Sequence, residues 1–190
     1  MKPSPSATDP IETLDGSRLA VRPIEPSDAA ALETAFRALS AESRYRRFLH
    51  PVNRLSARDL AYLTEVDHTA HEALIALDSG GEIVGVARFI RDAKHPERAE
   101  VAVTVADAWQ RRGVGTQLLH RLATRAQALG VEVFTAICLD DNEEMLQLFR
   151  ELGATVARRA SGRAEVEVEV TLPADSTHRT FAAALRAAKS

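Results

Sequence analysis

From residue 18 the chain alternates polar and apolar side chains, Arg18-Leu19-Ala20-Val21-Arg22-Pro23-Ile24, the two-residue period of a half-buried strand. Ser27-Asp28 then offers a helix N-cap ahead of an apolar-rich helical run at 29–39. Two short helical stretches follow, at 40–48 and 56–66. The second opens on the capping-box pattern Ser56-x-x-Asp59, and His50-Pro51-Val52-Asn53 between them reads as a turn. Apolar runs at 73–77 and 83–90 flank Asp78-Ser79-Gly80-Gly81, which predicts a β-hairpin. A loop at 92–98 leads into 99–106, a β-branched strand with Val101, Val103 and Val105 on one face. Three antiparallel strands are therefore expected in succession.

Past Gly113 the period lengthens to that of a helix. Val114, Leu118, Leu119, Leu122, Ala126 and Leu129 share a face, and Gly130 is placed to end the helix as its C′ residue. Residues 131–139 read as a strand and 142–152 as a helix stopped by Gly153. Strand, helix and strand over 99–139 form a βαβ unit, whose strands must lie parallel with a right-handed crossover, so the sheet is mixed. A closing hairpin is expected from 155–159 and 164–172 around Ser161-Gly162. Residues 176–190 can form an Ala-rich helix with Phe181 and Leu185 on a common face. The expected layout is a flexible arm at 1–16, one domain at 17–173 and a tail at 174–190.

A chain of 190 residues that is 45% hydrophobic can bury one sizeable core but not two independent ones. Its 24 basic and 27 acidic residues are interspersed and leave a formal charge of −3, so no global field draws nucleic acid or anionic lipid. Cys138 is the single cysteine, which excludes an intramolecular disulfide and disfavours a cysteine-based metal site; a reducing compartment fits. Residues 1–15 lack the apolar run of a signal peptide or membrane span, so a cytoplasmic protein is expected. No fixed-period repeat is present.

The segment Gln110-Arg111-Arg112-Gly113-Val114-Gly115-Thr116 joins the valine strand to the long helix. Glycines at a helix start expose backbone N–H groups at the positive end of the helix dipole, which suits a pyrophosphate; a Cβ there would hold phosphate away. Arg111 and Arg112 add side-chain donors. A nucleoside-triphosphate loop would need a Lys before Thr116, and a dinucleotide fingerprint would need glycine at Leu118, so neither is supported. The bland alternative is a tight strand-to-helix turn with solvated arginines.

These residues resemble the Q/R-x-x-G-x-G/A signature of the GNAT acetyltransferases. The likeness extends over residues 19–172: the strand order before the loop, the βα unit after it, and a helix at 142–153 similar to the family's N-x-x-x-x-x-L-x-x-x-L-G. Arg44-Tyr45, Leu63-Thr64 with Asp67, Ala99-Glu100-Val101-Ala102-Val103 and Ala106-Asp107-Ala108-Trp109-Gln110 resemble catalytic domains of bacterial protein-lysine acetyltransferases. The resemblance implies an α/β (α+β) fold with a mixed, mostly antiparallel twisted sheet of six to seven strands flanked by helices. It implies acetyl-CoA as cosubstrate, no metal, and an amine acceptor, preferably a protein lysine; a small-molecule amine, or a non-catalytic acyl-CoA sensor, are the alternatives. The protein would be a monomer or homodimer. The strand around Val103 would splay from that around Ile137 to admit the pantetheine arm along Val103, Thr104 and Val105. Residues 110–116 would hold the pyrophosphate, and Asn142 would meet the pantetheine or a phosphate.

Amine attack on a thioester needs a neutral amine, yet a lysine with pKa near 10.4 is about 99.9% protonated at pH 7. Glu100 is the expected base, acting through a water with its pKa raised by partial burial; the other reading is an edge carboxylate paired with Arg98 or Arg88. Phe149 stands where many relatives carry an acid tyrosine, so solvent would protonate the thiolate and Phe149 would pack against pantetheine or core. His68 and His71 are expected either at the acceptor cleft or on the surface. Cys138 reads as a core residue. Arg44, Arg46 and Arg47 form a basic helical patch, either solvated or facing an acidic acceptor.

Overall fold

Strands rich in β-branched and apolar residues pair into one eight-stranded sheet in the computed structural model, which describes residues 9–152, 156–160 and 165–172. The strands are β1 (Asp9–Glu12), β2 (Arg18–Pro23), β3 (His71–Leu77), β4 (Ile83–Arg91), β5 (Arg98–Val105), β6 (Val133–Leu139), β7 (Val156–Ala160) and β8 (Glu165–Thr171). Their spatial order is β1-β2-β3-β4-β5-β6-β8-β7. β5 and β6 are parallel, as the intervening helix requires, and the other neighbours are antiparallel.

Eight strands exceed the expected six to seven because Asp9–Glu12, expected within the arm, pairs with β2 and buries Ile11. Pro10 obscures this strand in the sequence but is tolerated at a sheet edge. The predicted stop at Gly153, the turn at Ser161-Gly162 and the tail helix lie outside the described residues.

Helices α1 (Ala29–Ala38), α2 (Ala41–Phe48) and α3 (Ala57–Thr64) cover one sheet face, while α4 (Val114–Ala128) and α5 (Glu143–Glu151) cover the other. None of the described helices is long and apolar enough to cross a membrane. Strand parity on β5 separates the two sides. Val101 joins the core under α4, with Val103 and Val105 packed against it, while Ala102 and Thr104 face the α1–α3 side.

Local capping follows the sequence in most places. Ser56 Oγ accepts from Asp59 N at 3.1 Å and Asp59 accepts from Ser56 N at 2.8 Å, the expected reciprocal box. Gly130 follows α4 at φ 84°, the left-handed conformation of a C′ glycine. Asp28 differs. Its carboxylate makes no cap bond to α1 but takes Arg22 in two 2.7 Å bonds and accepts from Glu25 N at 2.8 Å, because a bidentate guanidinium pair outcompetes a single N–H.

Two contacts seat α4 on the sheet. Glu72 of β3, fully buried, is satisfied by Arg125 of α4 at 2.6 and 2.7 Å, by His68 Nδ1 at 2.8 Å and by its neighbour Ala73 N at 2.9 Å. Gly85 of β4 lets α4 approach closely: a Cβ there would lie 2.9 Å from Leu118 Cδ1 and 3.2 Å from Val114 Cγ1, both side chains locked in the core. Gly85→Ala is expected to destabilise the protein by about 1–3 kcal/mol through overpacking. A denaturant midpoint equal to wild type would show that α4 moves away freely.

Candidate active site

β5 and β6 pair through only three residue pairs, Arg98–Val133, Ala99–Phe134 and Glu100–Thr135, although the strands run on to Val105 and Leu139. Beyond that point they part. Ala106 N donates to Val84 O at 2.9 Å, so alternation turns the backbone groups of Thr104 and Ala102 toward β4 and those of Val103 and Val105 toward the opened gap. An open parallel edge therefore presents backbone donors and acceptors to whatever occupies the cleft.

The cleft, about 770 Å³, runs from this gap to the start of α4. Gly113 adopts φ 80° as the N-cap, a conformation that glycine takes without strain, and the preceding Arg111 is also left-handed at φ 56°. The first bond back into the loop is Gln117 N to Gly113 O at 3.1 Å. The N–H groups of Val114, Gly115 and Thr116 thus form the unpaired first turn, where the helix dipole favours an anion. Gly115 sits between Leu148 and Val105, and an added Cβ would meet them at 3.4–3.5 Å, ordinary contact. Nothing inside the fold demands glycine there.

Of the expected cofactor residues, Val103, Thr104, Val105, Gln110, Arg111, Gly113, Gly115, Thr116 and Asn142 line the cleft. Several of their side chains are occupied elsewhere. Gln110 Nε2 donates to Val105 O at 3.1 Å and to Ser43 Oγ at 3.2 Å, tying the loop to β5 and α2. Thr116 donates to Glu151 at 2.7 Å, and Asn142 Oδ1 caps α5 by accepting from Met145 N at 3.2 Å. Arg112, expected as a phosphate donor, turns away to Asp15 at 2.8 Å and stacks over Trp109. Val114 and Phe149 are both buried in the core, so Val114 offers the cleft no side chain and Phe149 does not reach its wall.

Asp107 is an anchor that motif reading alone did not assign. Its carboxylate accepts from Ser40 N at 2.8 Å, Ser43 Oγ at 2.6 Å and Ser40 Oγ at 3.0 Å, clamping the N-terminus of α2 beside the loop. Burial opposes its ionisation, but these donors outweigh it and hold its pKa below the usual carboxylate value. The residues before β2 brace the other side: Leu14 N donates to Arg112 O at 3.0 Å and Gln117 Nε2 to Glu12 O at 2.7 Å.

Glu100 lies on the α1–α3 face of β5 and is exposed, not partly buried as expected. It pairs with neither alternative partner. Arg98 is bound to Glu169 at 2.8 Å, and Arg88 is buried against Leu63 O and His71 Nε2. The basic patch on α2 divides: Arg44 lies over Phe36, while Arg46, paired with Glu42, and Arg47 both line the cleft. His68 and His71 serve as inward partners of Glu72 and Arg88, and Cys138 is a core residue as read.

A model of the acetyltransferase (GNAT) family matches residues 34–154. The chain is 34% identical over 162 residues to acetyltransferase Pat of Mycolicibacterium smegmatis, covering 85% of this chain and 48% of that one. It is 34% identical over 88 residues to an L-methionine sulfoximine/L-methionine sulfone acetyltransferase of Pseudomonas aeruginosa, covering 44% and 51%. It therefore spans about half the length of these curated relatives. Among solved structures, the GNAT domain of S. lividans PAT superposes with a TM-score of 0.80 at 34% identity, covering 86% of this chain and 96% of that one.

His71 sets a pH dependence that is independent of turnover. Burial, reinforced by Arg88, lowers its pKa from 6.5 to about 4 in the folded state. The unfolded chain then binds the extra proton first, so this contribution to stability is intact above pH 6.5 and is lost as the pH falls toward 4. His71→Asn is expected to flatten the fall in melting temperature across that window; an acid limb as steep as wild type would assign the effect to other groups.

Proposed function

Because the chain belongs to the acetyltransferase (GNAT) family, we propose that it moves the acetyl group of acetyl-CoA directly to a primary amine, preferably a protein lysine side chain, with Glu100 as general base. The observation that carries this reading is the early parting of β5 from β6 in line with the bare first turn of α4. A pantetheine arm is an extended chain of amides, and the edge at Val103 and the Val105 N–H offers it strand-like hydrogen bonds, Val105 O being held by Gln110. At the far end, the N–H groups of Val114, Gly115 and Thr116 and the side chain of Arg111 receive the pyrophosphate. In this reading Gln110, Arg112, Thr116 and Asn142 support the cleft through their side chains more than they touch the ligand.

In this reading the Val103 N–H, on the opened edge of β5, polarises the thioester carbonyl and holds the negative charge that develops on its oxygen. The amine arrives from the face that carries Glu100. Glu100 takes the ammonium proton through a water, the freed nitrogen lone pair bonds to the carbonyl carbon, the nitrogen releases its second proton to water, and the carbon–sulfur bond breaks. The thiolate then takes a proton from solvent, consistent with Phe149 lying in the core at the position of a tyrosine acid. Exposure leaves the Glu100 carboxylate open to the water through which it acts in this reading.

The resemblance of residues 99–110 to bacterial protein-lysine acetyltransferases supports a protein acceptor, while a small amine or a silent acyl-CoA sensor would declare itself in the same assays. Acetyl-CoA at a hundredfold over its dissociation constant should stabilise the protein by about 2.7 kcal/mol. Gly115→Ala should leave the unliganded melting temperature near wild type and abolish most of that gain, because the added methyl fits the fold but blocks the anion. Glu100→Gln should lower kcat about a hundredfold or more with acetyl-CoA binding retained. An unchanged rate across pH would remove Glu100 as base, and mass spectrometry of proteins and small amines after reaction identifies the acceptor.

A further inference from the structure

We propose that Arg47 and Arg88 form a carboxylate-binding subsite beside the reaction centre, so that the acceptor carries a carboxylate close to its reacting amine. This deepens the acetyl-transfer reading above and rests on it. Arg47 of α2 makes no hydrogen bond or ion pair with any described residue; its guanidinium packs over the adjacent Phe48 ring at 4.9 Å. Burial holds its pKa below the ordinary value against the raising influence of Glu100 and Tyr62. Arg88 of β4 is 5% exposed and has Leu63 O at 3.3 Å and His71 Nε2 at 3.2 Å as partners, with no carboxylate among the described residues. Burial first, and Arg47 second, bring its pKa down to about 9.

Both cations line one chamber of about 60 Å³, walled by Leu39, Phe48, Ala102 and Thr104. Two like charges in an apolar chamber, Arg88 buried and Arg47 half-buried, oppose folding unless an anion joins them. Other inward-facing arginines of this chain have their anion within the fold: Arg22 has Asp28, Arg98 has Glu169 and Arg125 has Glu72. The chamber holds a group the size of a carboxylate, which the planar guanidinium fork fits. Arg88 does not border the cofactor cleft, so the phosphates of a CoA bound there would not supply the missing charge, whereas Arg47 borders both spaces. Glu100 acts on Arg47 at longer range and forms no ion pair with it, which leaves that carboxylate free for the amine. Amine at Glu100 and carboxylate between Arg47 and Arg88 set each charge of such an acceptor against its opposite.

The carboxylate can come from an acidic side chain beside a target lysine or from a free amino acid. The test compares kcat/KM for lysine peptides with Glu or Gln next to the acceptor, and for free amino acids against their amides. In at least one pair the carboxylate member should be favoured about tenfold or more, the size expected of a charge-assisted contact. That pair identifies the source. The preference should vanish in Arg47→Gln and return in part in Arg47→Lys, while Arg47→Gln raises the melting temperature of the unliganded protein by removing an uncompensated charge. Equal kcat/KM within both pairs, or a preference that survives Arg47→Gln, overturns the proposal. Binding is read separately from turnover by the thermal shift with succinate against succinamide. A succinate shift lost in Arg47→Gln, with no acceptor turned over, keeps the subsite and removes the acetyl-transfer reading. Transfer with no carboxylate preference and no succinate shift does the reverse.

Discussion

Backbone pairing between β5 and β6 ends after three residue pairs, and the site depends on that interruption. Each strand is held firmly on its other side, β5 by a ladder to β4 that reaches Val105 and β6 by a ladder to β8 that reaches Leu139. The gap is therefore a fixed feature between two rigid half-sheets. A parallel edge opened inside a sheet leaves N–H and C=O groups that must find partners. A ligand of amide character can supply them without any rearrangement of the protein, which keeps the cost of binding low.

The loop between β5 and α4, the proposed phosphate cradle, presents backbone N–H groups and is kept in shape by side chains. Gln110 and Asp107 tie it to α2, Arg112 and Leu14 tie it to the segment before β2, and Thr116 ties the first turn of α4 to α5. Gln110, Arg112 and Thr116 are residues that motif reading assigns to the ligand itself. Their hydrogen bonds instead orient the N–H groups of Val114, Gly115 and Thr116, so that little reorganisation remains when an anion arrives.

Charge is handled in opposite ways on the two faces of the sheet. Under α4, Glu72 is fully buried and fully matched by Arg125, His68 and a backbone N–H, a closed network that joins helix to strand. Under α1–α3, the buried Arg88 and half-buried Arg47 have no paired acid among the described residues, and Glu100 stands exposed on the neighbouring strand. A closed network stabilises and specifies the fold, whereas an open one is poised toward something outside the chain.

Periodicity and turn chemistry by themselves determined most of the elements. The period-two runs of β2 and β5, the apolar runs and turn chemistry of β3 and β4, the helical stripe of α4, the Ser56–Asp59 box and the βαβ logic that makes β5 and β6 parallel are local consequences of side-chain spacing. The glycines at 113 and 115 likewise marked the anion end of α4, since a positive φ and a bare helix start are local properties. Local pattern did not disclose β1, where Pro10 breaks the alternation and pairing with β2 restores it. Nor did it disclose where the side chains of the loop would spend their hydrogen bonds, because Asp15, Ser43 and Glu151 are distant in sequence and meet Arg112, Gln110 and Thr116 only after folding. The exposure of Glu100 and the unmatched charge of Arg47 were tertiary decisions of the same kind: desolvation and counter-charge depend on what packs against a residue, and spacing along one chain carries no record of it.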